Sequence, residues 1–528
     1  MPCPSSCPPG LLALMAPGLA LMATFSLPSH AGDRRALPVE KPPGVKGRTL
    51  ILLDVNTKSP VRIISENFLS LQLDPSIIHD GWLDFLSSRR LVTLARGLAP
   101  AFLRFAGKRT DFLQFHNVKN PAKNRGGPGP DYYLKNYEDA RSLDKLYNFA
   151  DCSGLHLIFA LNALRRNPNN SWNSSNALSL LKYSASKKYN ISWELGNEPN
   201  NYRTLIGRSV NGSQLGKDYI QLRSLLQLIR TYSRANLYGP NIGRPRKNVI
   251  ALLEGFMKVA GSTVDAVTWQ HYYIDGRVAK ATDFLKTRLL DTLSDQIRKI
   301  QKVVNTYTPG KKIWLEGVGA TSAGGMNNLS NSYAAGFLWL NTLGLLASQG
   351  IDVVVRHSFL DHSHNHLVDQ NFNPLPDYWL SLLYKRLIGP KVLAIHVAGL
   401  QRKPRPGRVI RDKLRIYAHC TSYHNHNYVR GSITLYIINL HRSRKKIKLA
   451  GTLRDKIVHQ YLLQPYGKDG LHSKSVQLNG QPLAMVDDGT LPELKPRPLR
   501  AGRTLVIPPL TMSFYVVKNV NALACRYR

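Results

Sequence analysis

The stretch Ile191-Ser-Trp-Glu-Leu-Gly-Asn-Glu-Pro-Asn200 decides the fold of this chain. An apolar, strand-like run leads directly into Asn197 and Glu198, and Pro199 ends the strand so that Glu198 stands at its carboxyl end. A carboxyl group partly shielded from water at that position has a raised pKa and can act as a proton donor. The alternative is a solvated glutamate or one that caps the next turn, because Asn-Glu-Pro alone defines no mechanism.

Eight apolar runs of this kind alternate with segments of helical periodicity. This alternation predicts an α/β fold, a closed parallel (β/α)8 barrel of the TIM type, with its chemistry at the carboxyl ends of the strands. The predicted strands are Asn67–Asp74, Ala101–Gly107, Leu155–Asn162, Ile191–Gly196, Leu237–Ile242, Ala266–Ile274, Lys312–Val318 and Ile351–Phe359. The predicted helices include Ser142–Phe149, Gln214–Ala235, Phe284–Asn305 and Ser332–Gln349.

Beyond Pro404 the pattern changes to short strands separated by turn residues, which predicts a C-terminal β-sandwich domain. The lone strand-like run Thr49–Val55 precedes the barrel and needs a partner edge, so we expect residues 49–60 to join the sandwich. The barrel is then assigned to residues 61–395 and the sandwich to residues 396–528.

The N-terminus predicts secretion. Residues 1–31 carry no charged side chain, contain an apolar run, and end in the small-x-small pattern Ser29-His-Ala31, as in a signal peptide. The alternative is a disordered or membrane-anchoring N-terminus. Residues 32–48 are rich in proline and basic, and are predicted to be a disordered leader. No later apolar run reaches the ~18 residues that span a bilayer, so we expect an extracellular protein without a transmembrane segment.

Sequons and cysteines fit that compartment. The chain has five Asn-x-Ser sequons. Sequons also arise by chance, so any one of these five can lack a glycan. Of the five cysteines, Cys3 and Cys7 leave with the signal peptide, and the remaining odd number requires an unpaired thiol or an intermolecular bridge. The predicted glycosylation sites are Asn169, Asn173, Asn190, Asn211 and Asn328.

The charge balance predicts a polyanionic partner. Lysine and arginine number 71 against 33 aspartates and glutamates, which leaves a net charge of +38. A single run of charge is usually a solvated face, but three basic clusters in a secreted chain favour a ligand, and secretion argues against nucleic acid. No cofactor or metal site is expected. The clusters comprise Arg244–Lys247; Arg402–Arg408 with Arg411, Lys413 and Arg415; and Arg442–Lys446 with Lys448.

Several motifs resemble those of the heparanase family, and most of all its non-hydrolytic branch: Trp193–Asn200, Val267–Tyr273, His366–Asp369, Pro374–Leu383 and Ser475–Gly480. The resemblance implies a barrel and sandwich that grip heparan sulfate, with Glu198 at the acid/base position. It also implies that Asn197, His271 and Tyr272 line the cleft, although the last two can equally be a satisfied structural pair. Heparin-binding segments of the family coincide with Arg244, Arg246, Lys247, Arg402, Lys403, Arg405 and Arg408.

The chain departs from the family at the nucleophile. The family's strand seven reads Trp-Leu-Gly-Glu-Thr, whereas this chain has Trp314-Leu-Glu-Gly-Val318, so the carboxylate of Glu316 comes one residue early. Because side chains alternate along a strand, Glu316 is expected to turn to the face opposite the sugar and to leave Gly317 at the nucleophile position. A β-bulge could re-aim Glu316, or the carboxylate could be structural and pair with a barrel cation.

A second departure concerns length. Family members carry several dozen residues between the positions of Asp139 and Ala140, including the partner of Cys152, so the chain resembles a shortened form in which Cys152 is unpaired. The resemblance implies a Cys420–Cys525 disulfide. We therefore expect a secreted binder of heparan sulfate that modulates heparanase by competing for this ligand. The alternatives are an active retaining endo-β-glucuronidase and, more remotely, a nucleic-acid binder.

Overall fold

The computed structural model describes residue 3 and the ranges 50–79, 81–116, 137–322, 324–398 and 413–527. The predicted signal peptide, apart from Cys3, lies outside these residues, as do the predicted leader and the segment that carries Arg402, Lys403, Arg405 and Arg408. Within the described ranges, no helix is long and apolar enough to cross a bilayer.

Eight parallel strands close into a barrel, in which each strand pairs with its neighbours in chain order and the last pairs with the first. All five residues of strand four are buried, because one face of the strand packs inside the barrel and the other packs beneath the surrounding helices. The predicted (β/α)8 barrel is confirmed. Its strands are Leu69–Leu73, Ala101–Phe105, Leu155–Leu161, Ile191–Leu195, Leu237–Ile242, Ala266–Asp275, Lys312–Ser322 and Val353–Arg356.

Amphipathic helices surround the barrel. In the longest of the helices in the described ranges, Leu290, Leu293 and Ile297 recur at helical spacing and are buried, which gives the helix one apolar stripe toward the strands. The α-helices are Ser76–His79, Arg89–Gly97, Ala140–Cys152, Ser175–Ser186, Tyr202–Ile206, Gly212–Leu228, Lys247–Ala260, Thr287–Tyr307, Ala335–Gln349 and Pro376–Leu387.

The barrel closes despite the short interval between strands two and three. Within the described part of that interval, Gln114–His116 pairs in parallel with Tyr137–Asp139. The helix Ala140–Cys152 begins directly after this second strand. It buries Leu143, Leu146 and Phe149, so one helix is sufficient to cover this part of the barrel.

Two sheets form the sandwich. The strand Ile51–Val55 lies in the smaller sheet, between the antiparallel strand Ile395–Ala398 and the parallel strand Lys445–Leu449, with Leu505–Ile507 at the edge. The larger sheet contains the strand Ile388–Leu393, so the domain boundary falls near residue 387 rather than at the predicted 395. Its strands are Arg62–Ile63, Ile388–Leu393, Leu414–Thr421, Ile433–Asn439, Val458–Pro465, Val476–Leu478, Gln481–Pro482, Arg497–Leu499 and Thr511–Val517.

Barrel and sandwich share a buried interface. Thirteen residues of the helix Ala335–Gln349, from Ala335 to Ala347, are buried. Arg415 of the sandwich pairs with Asp291 at 2.9 Å and donates a hydrogen bond to Asn341 at 3.0 Å. Arg415 is therefore an interface residue and not part of an exposed basic cluster.

Two disulfides are present among the described residues. Cys420 and Cys525 are bonded, as the family resemblance implies, and this bond ties the C-terminal residues to the strand Leu414–Thr421. The expectation that Cys152 is unpaired is wrong in this structure, where it is bonded to Cys3. That expectation depends on removal of Cys3 with the signal peptide. With Cys3 present, the Cα atoms of the two residues are 5.4 Å apart, within the usual range for a disulfide.

Candidate functional site

Glu198 stands at the carboxyl end of barrel strand four. Its backbone is left-handed, with φ of +47°, which is uncommon for a residue other than glycine. The amide N–H of Glu198 donates to the carbonyl oxygen of Asn241 at 3.0 Å and so ties the turn to strand five. A Cβ atom on Gly243 would lie 2.7 Å from Oε1 of Glu198, so this glycine leaves room for the carboxyl group.

The surroundings of Glu198 suit a proton donor. Burial raises its pKa, while the side chains of Asn200 and Asn201 and the charge of Lys108 act in the opposite direction. The side chain remains partly exposed, so a ligand can reach it. A half-buried carboxyl group with a raised pKa can donate a proton near neutral pH.

Asn197, which precedes Glu198, is buried and holds the turn from below. Its amide N–H donates to Asp111 at 3.0 Å, and its side-chain oxygen accepts from Arg104 at 3.1 Å. Burial raises the pKa of Asp111 to about 6. Asn197 therefore links the acid/base turn to the polar interior of the barrel.

Glu316, the other predicted carboxylate, lies in that interior and is 0% exposed. Its Oε1 atom is 3.2 Å from Nε of Arg104 and accepts from Nδ2 of Asn241 at 3.1 Å. The alternation argument predicted the opposite face of strand seven, and this detail is wrong. The contacts of Glu316 match the alternative prediction, in which it is a structural carboxylate that pairs with a barrel cation.

A second buried carboxyl group shares the same cation. Glu194 is 0% exposed, and its Oε1 accepts from Nε of Arg104 at 2.9 Å. Burial raises the pKa of Glu194 well above its ordinary value, and the neighbouring Glu316 raises it further. Both carboxyl groups contact Nε of Arg104, so one cation serves two buried acids and a protonated Glu194 is favoured.

A β-bulge follows Glu316 on strand seven. The pairing with strand eight is regular from Trp314 to Glu316 and shifts between Glu316 and Val318, and the pairing with strand six shifts between Leu315 and Val318. Glu316 therefore faces the same side of the strand as Trp314, whose ring packs against Phe102 and Tyr238. Gly317 has φ of +122°, a conformation that side chains rarely adopt. A Cβ atom on Gly317 would lie 3.0 Å from Cγ of Gln270.

The two predicted cleft residues on strand six, His271 and Tyr272, are consecutive and face opposite sides of the strand. Tyr272 is partly exposed, and its pKa is raised by burial and by the charge of Glu198, so the phenol lies on the cleft side. His271 is buried on the opposite side, where Nδ1 contacts Oε1 of Gln296 at 2.9 Å, and burial lowers its pKa to about 4. The expectation that His271 lines the cleft is wrong, because neighbouring side chains on a strand face opposite ways.

The sequence reasoning missed a group of residues that follow strands one, two and eight. Asp361 is 5% exposed and lies 3.5 Å from Nε2 of His357, whose ring packs edge-on against Tyr272. The charge of Lys108 acts on both Glu198 and His357, and the charge of Asp74 acts on His357. No short motif connects these residues, and only closure of the barrel brings them together.

Exposed cations stand beside this site. Arg244, Arg246 and Lys247 follow strand five directly after Gly243, and all three are exposed. Because Gly243 adjoins Glu198, they lie on the cleft rim. Among the described residues, no group of three histidine, cysteine or acidic side chains could hold a metal ion.

The predicted glycosylation sites occupy loops and element ends. The side chains of Asn169, Asn190, Asn211 and Asn328 are exposed, and that of Asn173 is half-buried. Asn211 also caps a helix, where its side chain accepts from the amide of Gln214 at 2.7 Å.

A closed (β/α)8 barrel with carboxyl groups at strands four and seven, joined to a β-sandwich, defines the architecture of a barrel glycoside hydrolase. Residues 136–344 match the model of the glycosyl hydrolase family 79 N-terminal domain. A 4-O-α-L-rhamnosyl-β-D-glucuronidase from Fusarium oxysporum 12S shares the fold, with a TM-score of 0.65 and 13% identity; the match covers 88% of this chain and 100% of the other.

Two curated relatives give the family. The chain is 79% identical to "Inactive heparanase-2" of Homo sapiens, over 100% of this chain and 98% of that protein. It is 46% identical to "Heparanase" of Mus musculus, over 90% of this chain and 94% of that protein. The chain therefore belongs to the heparanase family, within glycosyl hydrolase family 79. The alignment with the human protein spans 582 positions and this chain has 528 residues, so the chain lacks a segment that this relative contains.

Proposed function

We propose that this chain is a secreted heparan sulfate-binding protein without hydrolase activity. The observation that carries the proposal is the complete burial of Glu316 against Arg104. In retaining hydrolysis, one carboxyl group protonates the leaving oxygen while a second, roughly 5–5.5 Å away, attacks the anomeric carbon. A carboxylate with no exposed surface is not available for that attack.

Displacement of the nucleophile is proposed from the order of residues on strand seven. Gly317 stands where the family has its glutamate and has no side chain to project into the cleft. Glu198 keeps the properties of the acid, but protonation of a glycosidic oxygen without a nucleophile does not give the covalent intermediate. The cleft is therefore proposed to be catalytically incomplete.

Heparan sulfate is proposed to bind to exposed basic side chains on the cleft rim and on the sandwich. Arg244, Arg246 and Lys247 are exposed on the cleft rim, and Arg442, Arg444 and Lys448 are exposed on the sandwich. Arginine and lysine hold sulfate and carboxylate groups through charge-assisted hydrogen bonds. The net charge of +38 draws a polyanion to this surface. The predicted contacts of Arg402, Lys403, Arg405 and Arg408 remain part of the proposal.

Competition is the proposed consequence in the extracellular matrix. A chain that holds heparan sulfate without cutting it keeps this ligand from an active heparanase and so modulates that enzyme indirectly. The apolar N-terminus and the exposed sequons support secretion and glycosylation.

Heparin retention and polysaccharide length test the proposal together. The purified chain is loaded on immobilised heparin, and the length of heparan sulfate is measured after prolonged incubation with it. We expect salt-dependent retention and undiminished length. Shorter fragments would contradict the absence of hydrolysis, and failure to bind at physiological salt would contradict the binding function.

The bulge also favours a second candidate, an active retaining endo-β-glucuronidase in which Glu316 is re-aimed toward the cleft. This candidate requires that the carboxyl group leaves Arg104 when substrate binds. It predicts cleavage by the unmodified chain and its loss in Glu316→Gln. An unmodified chain that cleaves nothing excludes it.

A further inference from the structure

The loop after barrel strand eight places a carboxylate beside the acid/base residue. Burial raises the pKa of Tyr272, and the charges of Glu198 and Asp361 raise it further, so both carboxyl groups lie near this ring. The ring of His357 packs edge-on against Tyr272, with centroids 6.2 Å apart. Asp361 therefore belongs to the cleft, although it lies far from Glu198 in sequence.

Asp361 is held rigidly as an anion. Its Oδ1 accepts from the amide N–H of Ser363 at 2.7 Å, and Nδ1 of His366 lies 3.8 Å from the same oxygen. Burial alone would raise the pKa of Asp361. The neighbouring His357, Ser363 and His366 outweigh burial, and the pKa falls below its usual range. The carboxylate is thus charged at neutral pH.

His357 is held in a neutral tautomer, so it does not cancel the negative charge of Asp361. Oε1 of Gln72 accepts from Arg104 at 3.2 Å, which fixes the orientation of the amide. Nε2 of Gln72 then donates both to the carbonyl oxygen of Ala106 and to Nδ1 of His357, each at 3.0 Å. Since Nδ1 accepts, the proton of the imidazole is on Nε2, toward Asp361.

The surroundings of His357 disfavour the imidazolium form. A proton on Nδ1 would meet the N–H of Gln72, and burial lowers the pKa of His357. Arg356 and Lys108 also oppose a positive charge there, whereas Asp74 and Asp361 favour one. Arg356 forms an ion pair with Asp377, with 2.8 Å between Nη2 and Oδ2. The carboxylate of Asp361 is accordingly stabilised by Ser363 and by the two neighbouring histidines, and no arginine or lysine pairs with it among the described residues.

We infer that Asp361 is a specificity-determining residue that excludes acidic sugars from the cleft, so that heparan sulfate is held on the basic rim and not across Glu198. A uronate or sulfate group beside Tyr272 would meet a fixed like charge in a partly desolvated site, where repulsion is strong. A sugar ring without an acidic group meets no such repulsion. This inference rests on the proposed binding of heparan sulfate and deepens it.

Short ligands separate the cleft from the rim. The probe is a heparan sulfate disaccharide that contains glucuronate, measured by titration calorimetry against the unmodified chain and Asp361→Asn. We expect the variant to bind this probe at least about tenfold more tightly, because the substitution removes the charge and retains the shape. Long heparin, which the rim holds, should bind both proteins within about twofold.

The matched control is Asp275→Asn, at the same end of the barrel, where Arg277 already pairs with the carboxylate at 2.8 Å. This control should leave binding of the disaccharide unchanged. A ligand-side test needs no variant: the carboxyl-reduced, uncharged disaccharide should bind the unmodified chain more tightly than the acidic one. Asp361→Ser serves if Asp361→Asn does not fold.

Equal affinity of Asp361→Asn and the unmodified chain for the acidic disaccharide would overturn the inference, as would weaker binding by the variant. Failure of the proposed heparan sulfate binding is measured separately from failure of this inference. It appears as loss of long-heparin binding by the unmodified chain, whatever the ratio between the two proteins.

Discussion

At the scale of single residues, one buried cation in the barrel serves two buried carboxyl groups, on strands four and seven. Arg104 contacts both Glu194 and Glu316, and none of the three has exposed surface. One of the carboxyl groups therefore keeps its proton in the folded state. The role of Glu316 is then to satisfy Arg104, and its removal would leave a buried charge less well paired.

The proton on Glu194 predicts a pH dependence of stability. Because folding raises the pKa of Glu194 above its ordinary value of 4.5, the folded chain keeps a proton that the unfolded chain loses as pH rises. The free energy of unfolding should therefore fall as pH rises above about 5, by up to about 1.4 kcal/mol per pH unit from this group. Urea unfolding of Glu194→Gln, which mimics the protonated form, should show a smaller slope.

Glu254→Gln is the control for this prediction, since Glu254 is exposed on the helix Lys247–Ala260. It should keep the slope of the unmodified chain. If Glu194→Gln also kept that slope, the proton on Glu194 would be contradicted.

Residue roles were predictable only where a motif carried them. The Asn197-Glu198-Pro199 turn was found from the sequence because proline has a local consequence. The early position of Glu316 was found by comparison with the family motif, whereas strand alternation predicted the wrong face for its side chain. The contribution of Asp361 was missed, since its neighbours come from other strands. His271 was misplaced because a strand residue beside a cleft residue faces away from the cleft.

At the scale of elements, the barrel strands were predictable and the bulge on strand seven was not. Apolar runs give buried strands their signature, and all eight were located. A bulge has no such signature, since glycine also marks turns and close approaches. Strand seven continues to Ser322, four residues beyond its predicted end, because the bulge lets pairing resume after Gly317.

The bulge predicts that Gly317 is intolerant of a side chain. Gly317→Ala places a Cβ atom in a conformation with φ of +122° and against Gln270, so we expect a loss of about 1–3 kcal/mol in the free energy of unfolding. Gly255→Ala is the control, because Gly255 lies within the helix Lys247–Ala260. Equal stability of both variants would show that strand seven does not need glycine at this position.

At the scale of the whole molecule, charge is distributed unevenly. The cleft carries Asp74, Glu198 and Asp361 together with Lys108, whereas further cations stand on its rim and on the sandwich. Composition predicted the excess of positive charge and the type of partner, but it could not separate exposed cations from those in the interface. Arg415 illustrates this, since it lies within a basic stretch of sequence and pairs with Asp291.

The rim predicts where heparin binds. Arg244→Glu combined with Lys247→Glu should lower the salt concentration at which the chain elutes from immobilised heparin, because the rim loses cations and gains anions. Lys299→Glu with Lys302→Glu makes the same change in net charge on an exposed face of the helix Thr287–Tyr307 and should have a smaller effect. Equal shifts for both pairs would mean that net charge alone determines retention.

The central claim, that the barrel has an acid but no accessible nucleophile, is tested most directly by covalent trapping. A 2-deoxy-2-fluoro-glucuronyl fluoride forms a stable glycosyl-enzyme with a retaining nucleophile, and intact-protein mass spectrometry detects the adduct. The account predicts no increase in mass for this chain, or for Asp361→Asn, which admits the acidic probe to the cleft, under conditions that label an active heparanase. An adduct located on Glu316 would contradict it.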